Sequence, residues 1–337
     1  MSRLRIGVIG AGAWGRNHLR TIATSADAEL AAICDANADV RVQVARQYPA
    51  SIVTDSVPEL LKQVEAVIVA TPAKSHAAIG TQAVEAGLPV LVEKPFALTV
   101  ADAERLANLA EKRGVRVLVG HLLEYHPVVE RLREMLQQQV LGDLFYLYAQ
   151  RVNLGQVRPD ENALWSFGPH DVSVALYLLG EEPVQVSAQG RSYLQQGIED
   201  VVFLNMLFGA GTMAHVQMSW LDPHKERRLT VVGSRQMAVF DDMQPREKLR
   251  IYDKGVNRPP EYRSYGESLT IREGDIFIPR IPNVEPLAVQ FQHFVRVARG
   301  LEPARADHAD GVRVVRVLDA ATRSLAQGGV PVSLARG

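Results

Sequence analysis

Gly10-Ala11-Gly12-Ala13-Trp14-Gly15 follows an apolar run at residues 4–9 and opens a helical pattern over residues 13–23. Three glycines at this spacing suit the pyrophosphate of a dinucleotide. The first permits a tight turn, the second lets the backbone approach the phosphates, and the third lets the helix pack closely on the strand. The helix N-terminus adds unpaired N–H groups and the positive end of its dipole. Asp35 lies twenty residues after Gly15, at the end of the next apolar run, where a carboxylate meets ribose hydroxyls and repels a 2′-phosphate. That favours NAD, with NADP less favoured but kept open by Arg41. The first cofactor-binding candidates are therefore Gly10, Gly12, Ala13, Trp14, Gly15 and Asp35. Cys34, beside that acid, reads as a small buried hydrophobe.

Glu93-Lys94-Pro95 follows another strand-like run, 89–92. It is expected at the carboxyl end of a parallel strand, the edge where open α/β sheets bind ligands. A lysine there reaches a nicotinamide and a substrate hydroxyl, although residue type alone favours a surface ion pair with Glu93. Arg151, Asn153, Asn162 and Trp165 flank His170 and carry groups suited to sugar hydroxyls or a carboxylate. Tyr125 and His126 follow the last strand of the first half and are cleft candidates. Taken one at a time, each of these six has a structural role as its simpler reading. His121 and His126 lie five apart with no third ligand of suitable spacing, so no metal is expected.

These residues need elements to hold them. Apolar runs at 4–9, 30–34, 66–70, 89–92 and 115–119 alternate with helical patterns at 13–23, 38–47, 76–86 and 99–113. Ser75 is the expected cap of the third of these helices, with Gly87 at its end, and Thr99 with Asp102 forms a capping box for the fourth. Such alternation predicts a doubly wound parallel sheet covered on both faces. Beyond it a helix is expected over 128–141, a strand over 144–152 and a helix over 171–179. Strands follow at 184–193, 200–208, 212–220, 229–232 and 236–240, and two closing helices carry Phe291–Ala298 and Val314–Ala321. Consecutive strands joined by turn signals predict a largely antiparallel sheet. The proline-containing stretch 254–283 reads as a loop over the surface or the site. The fold class is α/β with an added α+β domain, divided at 1–121 and 122–337.

Composition excludes several classes. Of 337 residues, 47% are hydrophobic and 22% charged, which is ordinary for a packed globular chain and excludes a disordered one. Lys and Arg total 37 against 38 for Asp and Glu, so the basic excess of a general nucleic-acid binder is missing. No apolar stretch approaches the roughly 20 residues that span a bilayer. The single cysteine suits a reducing compartment, and with no cleavable leader evident a cytoplasmic protein is expected.

The combined motifs resemble the Gfo/Idh/MocA family, the relatives of glucose–fructose oxidoreductase and inositol dehydrogenase. The resemblance rests on the glycine fingerprint, Ala70-Thr71-Pro72 with His76, Glu93-Lys94-Pro95, Val119-Gly120-His121, and Gly168-Pro169-His170 ahead of Tyr177-Leu178-Leu179-Gly180. It implies a Rossmann domain, a C-terminal domain whose open sheet makes a homodimer or homotetramer, and NAD(P)-dependent redox chemistry on sugars, cyclitols or nucleotide sugars. It also implies that Thr71, Pro72, His76, Glu93 and Lys94 line the nicotinamide side. The family's Asp-x-Gly-x-His-x-x-Asp motif reads Ser166-Phe167-Gly168-Pro169-His170-Asp171-Val172-Ser173 here. Both flanking aspartates are serine, and Asp171 stands beside the histidine as a substrate-side candidate.

Oxidising a secondary alcohol needs a hydride acceptor, a proton acceptor and stabilisation of the developing alkoxide. The resemblance implies a cofactor for the first. His170 suits the general base because an imidazole titrates near neutrality. Lys94 then orients the hydroxyl and stabilises negative charge, while the reverse assignment requires a lowered lysine pKa. Trp220-Leu221-Asp222-Pro223-His224-Lys225-Glu226-Arg227-Arg228 resembles a stretch of family members from nucleotide-sugar pathways. In it Arg227 is a candidate clamp for a diphosphate or carboxylate, with a solvated hairpin or a subunit contact as the equal alternative. The expected activity is oxidation of a sugar or nucleotide sugar, with C3 of a UDP-hexose or UDP-hexuronic acid as the finer expectation. A free-sugar or inositol dehydrogenase comes next. A non-catalytic NAD(P)-binding regulator and an NAD-dependent glycosidase are the alternatives of other classes.

Overall fold

The computed structural model describes residues 2–155, 157–159, 161–257 and 270–334. Two compact units divide the chain: Met1–Tyr125 with Val284–Arg316, and His126–Asn283 with Val317–Gly337. A division at residue 121 leaves out the return of 284–316 to the first unit.

The first unit begins β1 (Leu4–Ile9), α1 (Gly15–Ala23), β2 (Ala28–Cys34), α2 (Ala38–Gln47), β3 (Ile52–Thr54), α3 (Val57–Leu61) and β4 (Ala66–Val69). It continues α4 (His76–Glu85), β5 (Val90–Val92), α5 (Val100–Arg113) and β6 (Val117–Val119). The strands pair in the order β3-β2-β1-β4-β5-β6, and every pairing is parallel. All four residues of β4 are fully buried, as expected of a strand covered on both faces. The order reverses between β1 and β4, the switch point beside which open α/β sheets form their ligand crevice. The loops after β1, β2, β4 and β5 carry the glycine fingerprint, Asp35, Thr71-Pro72 and Glu93-Lys94.

Thr99 caps α5, accepting the Asp102 N–H at 3.1 Å. Ser75 does not cap α4: its hydroxyl is bonded instead to Thr71 Oγ1 and the Pro72 carbonyl, each at 2.8 Å. The short β3 and α3 have no counterpart in the periodicity, because three and five residues are too few to show one.

The second unit starts with α6 (Pro127–Gln137), β7 (Leu144–Val152), α7 (Ala163–Leu179), β8 (Pro183–Arg191), β9 (Val201–Phe208) and β10 (Met213–Ser219). Next come β11 (Glu226–Gly233), β12 (Met237–Asp241), β13 (Leu249–Asn257) and β14 (Thr270–Phe277). Then α8 (Pro286–Ala298) lies in the first unit, α9 (His308–Ala326) runs from the first into the second, and β15 (Val332–Ser333) closes the described chain. The nine strands of the second sheet run β14-β13-β12-β11-β7-β10-β9-β8-β15 among the described residues, antiparallel except for β10 beside β7.

Two expectations change here. The stretch 254–283 is not simply a loop: its start belongs to β13 and its 270–277 segment is β14, paired from Ile251↔Phe277 to Asn257↔Thr270. Residues 258–269 lie outside the described residues. The helix expected at 171 begins at 163, so Gly168-Pro169-His170 lies inside it rather than ahead of it. Pro169 removes the N–H that would bond the Trp165 carbonyl, and a proline in mid-pattern reads as a boundary. The true start is set by Asn162, whose Oδ1 accepts the Trp165 N–H at 3.1 Å.

Candidate active site

In the first unit Gly10 has φ +93°, and a Cβ there would stand 2.6 Å from the Ala70 carbonyl oxygen. The loops after β1 and β4 therefore meet backbone to backbone. A Cβ on Gly15 would lie 2.0 Å from the Gly10 oxygen, so only glycine lets α1 start so close to the turn. Gly12 has nothing within 4 Å of its Cβ position. That open space over the α1 N-terminus is what a pyrophosphate requires, and Ala13 and Trp14, both exposed, border it. Asp35 Oδ2 accepts the Ala11 N–H at 2.7 Å and Oδ1 the Asn37 N–H at 2.9 Å. A carboxylate accepts about four hydrogen bonds, which leaves capacity for two ribose hydroxyls. These residues fit a dinucleotide.

Arg41 is tied down by this same corner. Its Nη1 donates to the Asp35 and Ala36 carbonyls, both at 2.9 Å, and its Nη2 lies 3.4 Å from Asp55. It braces the loop beneath Asp35 and already has an anion, which argues for NAD over NADP. Asp35→Ser is expected to lower the NAD-over-NADP preference in kcat/KM about ten- to a hundredfold, the worth of charge-assisted hydrogen bonds. Parallel titrations with both cofactors measure it, and an unchanged ratio would refute the role. The Cys34 thiol is pushed up to about 11, chiefly by burial and then by Asp35. It therefore stays protonated near neutral pH.

The lysine loop is braced from behind. His76 is buried, with Nδ1 2.7 Å from the Pro95 carbonyl oxygen and Nε2 2.8 Å from that of Thr71. Both ring nitrogens are occupied by backbone, so His76 holds the Thr71 and Lys94-Pro95 loops together instead of facing a nicotinamide. Thr71 is half-buried, Pro72 is exposed, and Lys94 is half-buried beside a cis peptide bond to Pro95. Glu93 is 5% exposed, and its Oε1 is 2.8 Å from His18 Nε2. Burial raises the Glu93 pKa, but hydrogen bonds and charge from His18, hydrogen bonding by Trp14 and the charge of Lys94 together bring it below the ordinary carboxylate value.

Tyr125 does not line a cleft. It is fully buried, with its ring 5.3 Å from that of His293 and the Arg305 guanidinium 4.9 Å above it.

In the second unit Arg151 on β7 stands directly opposite Arg227 on β11. Asp171 on α7 grips Arg151 with both oxygens, Oδ2 to Nε at 2.5 Å and Oδ1 to Nη2 at 2.9 Å. Both Asp171 oxygens are thus engaged by Arg151. Among the described residues Arg227 donates to neutral oxygens, the carbonyls of Val152 at 3.1 Å and Glu226 at 2.8 Å and Asn153 Oδ1 at 3.1 Å, with Asp171 and Asp242 as nearby charges. Its guanidinium lies 5.3 Å from the Phe167 ring, which in turn meets Trp220 edge-on at 6.5 Å. Burial, then the neighbouring Arg151, lower the Arg227 pKa to about 10, so it keeps its charge at neutral pH. Arg227 lies on β11 itself, not in a hairpin between strands.

Asn162 and Trp165 have structural duties. Beyond capping α7, Asn162 donates to Glu199 at 2.7 Å, and the Trp165 indole donates to Thr322 Oγ1 at 3.1 Å. His126 Nδ1 accepts the Val128 N–H and caps α6, while its Nε2 lies 3.4 Å from Asp242. His170 is half-buried on α7, one residue from Asp171.

Sequence reasoning missed Phe167, Trp220 and His18. The last had a visible signal: it stands at i+3 from Gly15 on the face that carries Leu19 and Ile22, all buried. Among the described residues no group of three or more His, Cys, Asp or Glu side chains is placed to hold a metal ion, and no helix is long and apolar enough to cross a membrane.

Comparisons with known proteins agree with this layout. Residues 4–121 match a family model described as oxidoreductase family, NAD-binding Rossmann fold. Residues 129–239 match the GFO/IDH/MocA C-terminal domain. UDP-N-acetylglucosamine 3-dehydrogenase of Acidithiobacillus ferrooxidans is 30% identical over 322 residues, covering 94% of this chain and 95% of the relative. Its solved structure superposes with a TM-score of 0.81 at 27% identity, over 97% of this chain and 99% of that one. Inositol 2-dehydrogenase of Rhizobium meliloti is 24% identical over 336 residues, 96% of this chain and 97% of the relative.

Proposed function

The chain belongs to the Gfo/Idh/MocA oxidoreductase family, and within it we propose that it oxidises a secondary alcohol of a nucleotide sugar, at C3 of a UDP-hexose or UDP-hexuronic acid, with NAD as the preferred acceptor. NAD, held by the glycine turn and Asp35, would supply the hydride acceptor. The chain's own residues bind, orient and handle the proton. Lys94 hydrogen-bonds the reacting hydroxyl and stabilises the negative charge that develops on its oxygen. His170 takes the proton.

The observation that carries the choice of substrate is Arg227. Among the described residues the half-buried guanidinium hydrogen-bonds neutral oxygens, while Asp171 and Asp242 act on it through charge alone; a direct anionic ligand such as a diphosphate or a carboxylate suits it better than a neutral cyclitol. Full-length likeness to a UDP-N-acetylglucosamine 3-dehydrogenase supports the same class. Likeness to inositol 2-dehydrogenase keeps a free cyclitol or sugar as the second reading.

The test is a panel of UDP-hexoses, UDP-hexuronic acids, free sugars and inositols, followed by NADH absorbance with NAD and with NADP. Net reduction with a UDP-sugar is expected. Turnover on inositol alone would move the assignment to the second reading. Aglycone release without net NADH would mean a glycosidase, and binding without either would mean a regulator. Tyr146, Phe203, Leu207 and Met213 are exposed on β7, β9 and β10, which supports a homo-oligomer built through this sheet. A monomer in sedimentation velocity would refute it.

A further inference from the structure

His18 and Glu93 come from different parts of the first unit, 75 residues apart, and meet with Nε2 2.8 Å from Oε1. Their side chains are 1% and 7% exposed. A buried carboxylate must be balanced by nearby positive charge or hydrogen-bond donors. The charged groups set against Glu93 are His18, from α1, and Lys94, from its own loop; Trp14 contributes a neutral hydrogen bond. Glu93 Oε2 packs against Gly120, where a Cβ would stand 2.6 Å from it. Oε2 also lies 3.3 Å from the Lys94 backbone nitrogen. The other ring nitrogen of His18, Nδ1, is buried and has no hydrogen-bond partner among the described residues. The ring is therefore held by the carboxylate through Nε2.

We propose that His18 is a positioning residue that governs the charge of Lys94 through Glu93. With both ring nitrogens protonated, His18 neutralises the carboxylate, and Lys94 loses an anion that helps to hold its proton. With one, the full carboxylate charge faces Lys94 and keeps it an ammonium. The helix that begins at the glycine-rich loop thus reaches the lysine loop through one buried contact. The inference rests on the role given to Lys94 above, but its test does not.

The chain has seven lysines, few enough for 13C-dimethyl labelling, with the Lys94 resonance assigned by Lys94→Arg. Dimethylation keeps the charge. In the unsubstituted protein the Lys94 resonance is expected to show, below its own titration, a second step at the pH where His18 titrates. His18→Gln keeps a donor toward Glu93 and removes the ionisable ring. There the lower step is expected to vanish while the Lys94 midpoint holds, because His18 already carries a single proton at the pH where Lys94 titrates. The Kd for NAD should change less than about threefold. A merely structural His18 would alter stability and give the Lys94 resonance no lower step in the unsubstituted protein. If His18→Gln does not fold, the lower step in the unsubstituted protein decides. Its absence overturns the proposal, as does a lower step that persists in folded His18→Gln. Full turnover by Lys94→Ala would instead sink the catalytic role of Lys94 and leave the charge coupling standing.

Discussion

Lys94→Ala is expected to lower kcat about a thousandfold on the true substrate while the Kd for NAD changes by less than about tenfold. A positioned acid or base contributes roughly 10²–10⁴ to rate, and a single donor to a developing oxyanion roughly 10²–10³. Both estimates apply under the proposed role of Lys94, in which the lysine touches the reacting hydroxyl whichever of Lys94 and His170 takes the proton. In the proposed site the glycine turn and Asp35 would hold the cofactor's phosphates and ribose, so binding should largely survive. The backbone around residue 94 should survive as well, since His76 braces the Pro95 carbonyl and Glu93 is anchored by His18. Lys94→Arg keeps a charge but replaces a compact ammonium with a planar fork, and is expected to recover little. Single-turnover NADH formation separates chemistry from product release. A variant that keeps more than about a tenth of the wild-type rate would mean that Lys94 serves only as a counter-charge to Glu93.

The first unit was legible because its chemistry and its folding use the same residues. Parallel strands buried on both faces leave unbroken apolar runs, and the glycines that admit a phosphate are also those that bring α1 onto β1. The spacing of Asp35 and the position of Lys94 after β5 follow from that regularity. The second unit was less legible because its signals are pairwise and distant. Arg151 and Arg227 are 76 positions apart and become neighbours only through the register of β7 with β11. Asn162 looks like a ligand in sequence and is a helix cap in space. Asp171 looks like a displaced catalytic acid and is the counter-ion of an arginine. Pro169 hides the first two turns of α7. The return of α8 to the first unit was equally hidden: Phe291, Phe294, Val295 and Val297 pack with Ile6, Val8, Leu19 and Ile22, a contact that periodicity does not report.

Asp171→Ala should be the most destabilising of the single changes considered, at about 3–5 kcal/mol, because it removes one partner of a buried ion pair and strands the other. The side chains of Arg151 and Asp171 are 12% and 8% exposed, so water cannot replace the lost carboxylate cheaply. Arg151 would then face Arg227 across the β7–β11 ladder without its own carboxylate, and like charges directly opposite one another disfavour the pairing itself. The same loss would lower the Arg227 pKa further below about 10, because Asp171 is among the charges that raise it. For a unit of this size the thermal midpoint should fall by about 10 °C, read from the transition of the second unit in a calorimetric scan. Asp171→Asn keeps the shape and two acceptor lone pairs but not the charge, and belongs between wild type and alanine. The double variant Arg151→Met with Asp171→Leu removes both charges and is expected to recover most of the lost stability, since buried pairs replaced by apolar groups of similar volume are often near neutral. Its activity separates the two duties of the pair. If it folds like wild type yet turns over slowly, Asp171 and Arg151 serve the site, holding α7 and with it His170 in place. A loss below about 1 kcal/mol for Asp171→Ala would show that the bidentate contact does not anchor α7.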